Sequence, residues 1–221
     1  MSKLLIVDDH PLYRLALAHT VRELVPDADV AEAETLDDAR VHLTTAPDTD
    51  LVLLDLHLPG SYGLMGLASI RGEFPAVAVV MISAHDDPAV IRRALAFGAA
   101  GFIPKRASPA ELKAGLRAVL ACEDFVPEPL RDAVARTSTS PSDGELAARL
   151  ASLSPQQFRV LGLVAEGRLN KQIADALGIQ ERTVKAHMTA IFERLGVRNR
   201  TQAGVLLRSL ELADPARAPV G

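Results

Sequence analysis

The chain has 221 residues, 48% of them hydrophobic, 24% charged and only 4% aromatic, with no Trp and one cysteine, Cys122. That length suits one large domain or two modest ones, and a lone thiol excludes an internal disulfide framework or a cysteine-rich metal site. No apolar run approaches the roughly 18 residues of a membrane span, so no membrane association is expected. The opening "MSKLLIVDDH" meets two acids at once and is unlike a signal peptide, so a reducing cytoplasm is the expected location. Cys122 is expected to serve as a small packing residue. The net charge of −4 conceals an asymmetry. Residues 1–124 hold 18 acidic against 11 basic side chains, whereas residues 153–212 hold 5 against 9. An acidic first part and a basic last part point to two domains, the second suited to nucleic acid.

In chain order, five short apolar runs read as strands: "KLLIV" (3–7), "ADVAEA" (28–33), "LVLLD" (51–55), "AVVMIS" (78–83) and "AGFI" (100–103). The stretches between them have helical spacing, as at Leu12, Leu15, Ala16 and His19. The helix from Ser108 has a Ser cap, Pro in its first turn and Glu three residues after the cap. Strands alternating with helices predict a doubly wound α/β domain over residues 1–123. Its non-alternating strands fit a parallel sheet buried on both faces. Residues 124–152 break the pattern and are expected to be an interdomain linker, flexible by composition at "TSTSPSDG", with short helical turns beside it. Residues 153–212 read as an all-helical domain, and 213–221 as a frayed tail.

An unpaired charge closing an apolar strand is costly to desolvate, so Asp55 needs an explanation. In a doubly wound sheet of order 2-1-3-4-5, ligands bind beyond the carboxyl ends of the strands, where strand order reverses. Asp8 and Asp9 follow the first strand there and Asp55 ends the third. Three adjacent carboxylates repel, and a hard cation such as Mg²⁺ relieves them. Ser83 ends the fourth strand and Lys105 follows the fifth, placing a hydroxyl and an ammonium beside the acids. Such a set can take a phosphoryl group on a carboxylate nucleophile, with Mg²⁺ and Lys105 neutralising the transferred charge.

With those residues in view, "IVDDHP", "LLDLHLPG", "MISAH" and "GAAGFIPK" resemble the response-regulator receiver domain over residues 3–120. The resemblance implies a flavodoxin-like fold in which Asp55 accepts phosphate from a histidine kinase. It further implies that Asp9 ligates Mg²⁺ directly, Asp8 mainly through water, and His57 through its backbone carbonyl. Ser83 would turn toward the phosphate, Lys105 would pair with it, and Phe102 takes the switch-aromatic position, although it reads equally as a core residue. Tyr62 departs from the Asn or Asp usual before the following glycine.

In the basic part, "NKQIADALGIQERTVKAHMTAIFERLGV" (170–197) has the spacing of a helix-turn-helix. Ala174 permits close helix approach, Gly178 permits a left-handed turn, and Val184 packs the second helix back on the first. Val184, Met188, Ile191, Phe192 and Leu195 form one apolar stripe, with Arg182, Lys185, Ala186 and Thr189 opposite. That polar face suits the major groove. The full stretch 153–207 resembles the four-helix LuxR-type DNA-binding domain. By that resemblance Lys185, Ala186 and Thr189 face bases, while Asn170, Lys171, Thr183 and His187 touch phosphates or support the recognition helix. The last helix, "TQAGVLLRSLEL", is usually a dimerisation element. Gln156, Gln157 and Phe158 replace residues that tend to be charged, with consequences expected for a helix cap or an interdomain contact.

Together the two halves resemble NarL/FixJ-type response regulators. The implied function is a phosphorylation-controlled transcription regulator, dimeric when active or on promoter DNA, with a sensor kinase as partner and RNA polymerase as a further one. It is not an enzyme beyond the Mg²⁺-dependent gain and loss of its own phosphate. Three other readings stay in view. A phosphohydrolase with Asp55 as nucleophile would need a second acid at position 57, where His stands. An autoinducer sensor would need an aromatic pocket, and the chain has only two Tyr. An orphan regulator would work without phosphate, against the completeness of the acid–Ser–Lys set.

Overall fold

The computed structural model describes residues 2–59, 63–138, 141–208 and 210. Tyr62 and the tail beyond residue 210 lie outside the described residues. Five strands, β1 (Lys3–Val7), β2 (Asp29–Ala33), β3 (Leu51–Asp55), β4 (Ala78–Ser83) and β5 (Gly101–Pro104), form one parallel sheet in the order β2-β1-β3-β4-β5. The expected runs are reproduced, with β2 and β5 each starting one residue later than expected.

Side chains alternate between two cores, as the strand pleat requires. Leu4, Ile6, Leu53, Val80 and Ile103 pack toward α1 (Pro11–Leu24) and α5 (Pro109–Leu120). Leu5, Val7, Leu54, Met81 and Phe102 pack toward α2 (Leu36–Thr45), α3 (Leu64–Glu73) and α4 (Pro88–Ala96). Because both faces are covered, β3 is buried along its whole length. Local chemistry starts the helices. Pro11 opens α1, Asp87 accepts from Ala89 N ahead of α4, and Ser108 with Glu111 closes a capping box on α5.

The segment after α5 is more ordered than its composition suggests. Phe125 bridges to Gly101, and its backbone pairs with Ala100 and Phe102, covering the outer edge of β5. Two helices follow, α6 (Glu128–Arg136) and α7 (Pro141–Ala151). Helix α6 packs on α4, and α7 lies against both α3 and α4. Tertiary packing of Val134 and Leu150 into the core holds α6 and α7 in place, and in α7 it overrides the turn formers of the first turn. Cys122 differs from expectation: it is exposed, at φ 62, in the turn that ends α5. An exposed side chain buries little surface, so packing is not its role.

Four further helices follow among the described residues: α8 (Pro155–Ala165), α9 (Asn170–Leu177), α10 (Glu181–Leu195) and α11 (Arg200–Arg208). Gly178 ends α9 at φ 64, the left-handed turn that its place in the motif demands. Their apolar side chains are continuous with the core beneath α3, so the helical domain docks on the α/β domain.

Candidate functional site

The first site is the crevice at the carboxyl edge of the sheet, built from the ends of β1, β3, β4 and β5. Asp8 and Asp55 are buried, with 1% and 4% of their surface exposed. Lys105 Nζ bridges them, 2.7 Å from Asp8 Oδ2 and 2.9 Å from Asp55 Oδ2. The backbone holds the lysine there: Lys105 N donates to the Ser83 carbonyl at 2.6 Å, joining the tips of β4 and β5. The loop after β1 is fixed from below by the buried Arg14, which donates to the Asp8 carbonyl at 2.6 Å and pairs with Glu34. Ser83 is fully buried, and its Oγ accepts from His85 N at 3.0 Å. Asp8, Asp55 and Lys105 are thus in direct contact, and Ser83 ends the neighbouring strand at the same edge of the sheet.

Burial raises the pKa of the Asp55 carboxyl above its usual range, and the Lys105 charge only partly opposes that. Burial also works against the Lys105 ammonium, but the carboxylates of Asp8 and Asp55 outweigh it and hold the lysine protonated. Lys105 Nζ further lies 4.7 Å from the centre of the Tyr13 ring. Burial pushes the Tyr13 hydroxyl up, with the negative charges of Asp8 and Asp55 adding to it.

Removing that ammonium leaves buried carboxylates uncompensated. Lys105→Met is expected to cost about 3 kcal/mol of stability at neutral pH. Asp55, raised already, rises further in the variant, so the folded state binds protons that the unfolded chain has released. The deficit therefore shrinks as pH falls toward the ordinary carboxylate range. Urea melts of both proteins between pH 7 and pH 4 check this; a deficit independent of pH contradicts it.

Sequence reasoning missed three side chains here. His10 sits over the acids, Tyr13 lies against Lys105, and His85 packs edge-on against His57 with ring centres 5.4 Å apart. Only "DDH" carried a signal, in a polar ring directly following the acid pair. His57 N approaches Asp55 Oδ1 at 3.4 Å, and Phe102 is fully buried in the core.

One atom each from Asp8, Asp9, His10 and Asp55 lies within 4.8 Å of the others. Asp8 and Asp55 are both buried in this cluster and share the single ammonium of Lys105, which leaves their negative charge only half neutralised. An oxygen-rich, strongly anionic cluster of this kind fits a divalent cation.

The second site is the outer face of α9 and α10. Arg182, Lys185, Ala186, Thr189 and Lys171 are exposed, and Asn170, Thr183 and His187 half-buried. Val184, Met188, Ile191 and Leu195 of the expected stripe are buried beneath them, and Phe192 is half-buried at its margin. Lys185 pairs with Glu181 at 3.1 Å, a solvent-exposed contact of little strength. Gln157 replaces a charged residue without loss of the cap: its Oε1 accepts from Ser154 N at 2.9 Å and from Arg194 at 2.8 Å. Phe158 is buried at the junction with the α/β domain.

The junction has named contacts. Arg159 of α8 pairs with Asp37 of α2 at 3.5 Å, and Arg93 of α4 with Asp143 of α7 at 3.4 Å. A Cβ built on Gly72 of α3 would come 2.8 Å from Ala151 Cα and closer still to its carbonyl oxygen.

Comparison with known proteins finds a family for each of the two domains. Residues 4–117 match the family model described as response regulator receiver domain, and residues 151–207 match bacterial regulatory proteins of the luxR family. A glycerol metabolism activator of Pseudomonas putida is 38% identical over 206 residues, covering 92% of this chain and 93% of its own. The nitrate/nitrite response regulator protein NarL of Escherichia coli K12 is 30% identical over 204 residues, covering 92% and 94%. A Salmonella typhimurium RcsB response regulator structure shares the fold with a TM-score of 0.57 and 24% identity, covering 94% of this chain and 98% of its own.

Proposed function

Since the chain belongs to the response regulators that join a receiver domain to a LuxR-type DNA-binding domain, we propose that a histidine kinase phosphorylates Asp55 to control promoter binding. The observation that carries this reading is the convergence of Asp8, Asp9, Asp55, Ser83 and Lys105 at one edge of the sheet. The Asp55 carboxylate forms a new O–P bond as the N–P bond of the donor phosphohistidine breaks, leaving its imidazole. Lys105, held protonated, then pairs with the phosphoryl oxygens, and the Ser83 hydroxyl turns to donate to one of them. Asp8, Asp9, Asp55 and the His57 carbonyl would hold Mg²⁺, which when bound neutralises charge on the transferring group.

The consequence for DNA runs through α3 and α4. These helices follow the acceptor strand and the hydroxyl strand, and both bear α7. A change at Asp55 and Ser83 thus reaches the elements that seat the DNA-binding domain, and Phe102 beside them is placed to follow Ser83. The exposure of Lys185, Ala186 and Thr189 in the docked arrangement favours control of domain placement and dimer formation over burial of the recognition helix. Lys185, Ala186 and Thr189 read bases, Arg182, Asn170, Lys171, Thr183 and His187 support or contact the backbone, and α11 pairs two copies on a two-fold site. The domains are assigned as receiver 1–123, connector 124–152, DNA-binding 153–212 and tail 213–221. Among the described residues no helix is long and apolar enough to cross a membrane, which supports a cytoplasmic setting.

Lys185→Ala is expected to weaken binding to a selected operator by about 1–3 kcal/mol while leaving the fold intact. Footprinting after selection from random DNA checks this, and unchanged affinity at the selected site would remove Lys185 from the groove. The same footprints with and without acetyl phosphate test the proposed control: phosphodonor should sharpen or strengthen protection, and identical footprints would mark an orphan regulator.

A further inference from the structure

The receiver chemistry leaves one side chain of its acidic loop unused. His10 follows the acid pair at the start of α1, and its backbone N–H donates to Asp8 Oδ1 at 2.8 Å. The tether fixes the His10 backbone at the rim of the crevice, and the ring lies against the acids. Its Nδ1 lies 2.9 Å from Asp9 Oδ1, 3.2 Å from Asp8 Oδ1 and 3.9 Å from Asp55 Oδ2, although the side chain as a whole stays 61% exposed. Ligands about 2.1 Å from a small divalent cation lie up to about 4.2 Å apart across it. Four donor atoms within 4.8 Å of one another therefore need only small adjustments to close on one ion. Asp8 is almost completely buried and shares the one ammonium of Lys105 with Asp55, so the cluster beside the His10 ring keeps an excess of negative charge for a cation to neutralise.

We propose that His10 Nδ1 is a ligand of the divalent cation, which makes the site a mixed nitrogen–oxygen one that favours Mn²⁺ over Mg²⁺. The proposal rests on the crevice being the phosphorylation pocket. Mg²⁺ is hard and keeps to oxygen, so an imidazole adds little to its binding. Mn²⁺ keeps the carboxylates and also accepts imidazole nitrogen, so the same residues discriminate between the two ions. An imidazole nitrogen brings a donor to the ion without adding a fourth negative charge beside Asp8, Asp9 and Asp55.

The test uses the full-length chain with Mn²⁺ alone as probe, followed by pulsed electron paramagnetic resonance. The spectrum of the bound ion should carry imidazole ¹⁴N modulation, which His10→Gln should abolish and His57→Gln should leave in place. In His10→Gln, Mn²⁺ affinity should fall about tenfold and Mg²⁺ affinity less than about twofold. Tight Mn²⁺ binding without any nitrogen modulation in the unsubstituted chain would overturn the assignment of His10 and leave the phosphorylation pocket standing. Failure to bind Mn²⁺, together with failure to take up phosphate from acetyl phosphate in Mg²⁺, would overturn both.

Discussion

Asp55→Asn is expected to yield a folded protein whose DNA binding no longer responds to acetyl phosphate and whose melting temperature is higher than that of the unsubstituted chain. Loss of response follows because an amide has no anionic oxygen with which to attack phosphorus. The gain in stability follows from the same geometry. Asp55 is buried beside Asp8, and burial raises its pKa despite the single ammonium of Lys105 that the two carboxylates share. An isosteric neutral amide removes one desolvated charge and leaves Asp8 paired one to one with Lys105. We expect a gain of about 1 kcal/mol, worth a few degrees in a chain of this size. Calorimetry at neutral pH without metal checks the second part. A lower melting temperature would mean that Asp55 is a structural charge and not a reactive one held at a cost.

Gly72→Ala is expected to separate the two domains without damaging either. Within α3, alanine favours the helix over glycine by about 1 kcal/mol, so the receiver itself should not suffer. Across the junction, the added methyl would collide with the backbone of Ala151, which cannot turn aside as a flexible side chain could. The end of α7 must then lift from α3, opening the apolar packing that runs through Leu150 and Phe158, and the exposed Arg159–Asp37 pair is too weak to close it again. Small-angle scattering should show a larger radius of gyration. DNA affinity without phosphodonor should approach that of the phosphorylated parent. A scattering curve identical to the parent's would show that the junction accommodates the methyl and that α7 docking is not set at Gly72.

Much of the receiver was legible in the sequence because its signals are local or periodic. Apolar strands in a parallel sheet read as continuous runs, and the chemistry lies at their carboxyl ends, so Asp8, Asp55, Ser83 and Lys105 can be placed together from topology alone. In the helix-turn-helix, Ala174, Gly178 and Val184 each carry a steric requirement, and each occupies the place that the requirement predicts. The connector was illegible for the opposite reason. Helix α7 begins at Pro141 inside a stretch rich in turn formers, and what stabilises it is the surface of α3, far away in sequence. Gly72 looks unremarkable until Ala151 lies against it. The role of Phe158 likewise needed both domains in view, whereas the cap formed by Ser154 and Gln157 was readable three residues apart. His10 was passed over because metal reasoning for a hard cation looks for oxygen, and only the contacts of its Nδ1 with Asp8 and Asp9 show the ring beside the acids.

The central claim is that Asp55 is the residue that carries phosphate, and borohydride trapping tests it most directly. The chain is exposed to acetyl phosphate and Mg²⁺, reduced so that any acyl phosphate becomes an alcohol, and mapped by peptide mass spectrometry. The account predicts homoserine at position 55 and at no other acidic residue, with none when Mg²⁺ is withheld. Reduction product at Asp8 or Asp9, or an unmodified Asp55 in a protein that still gains the mass of a phosphoryl group, would contradict it.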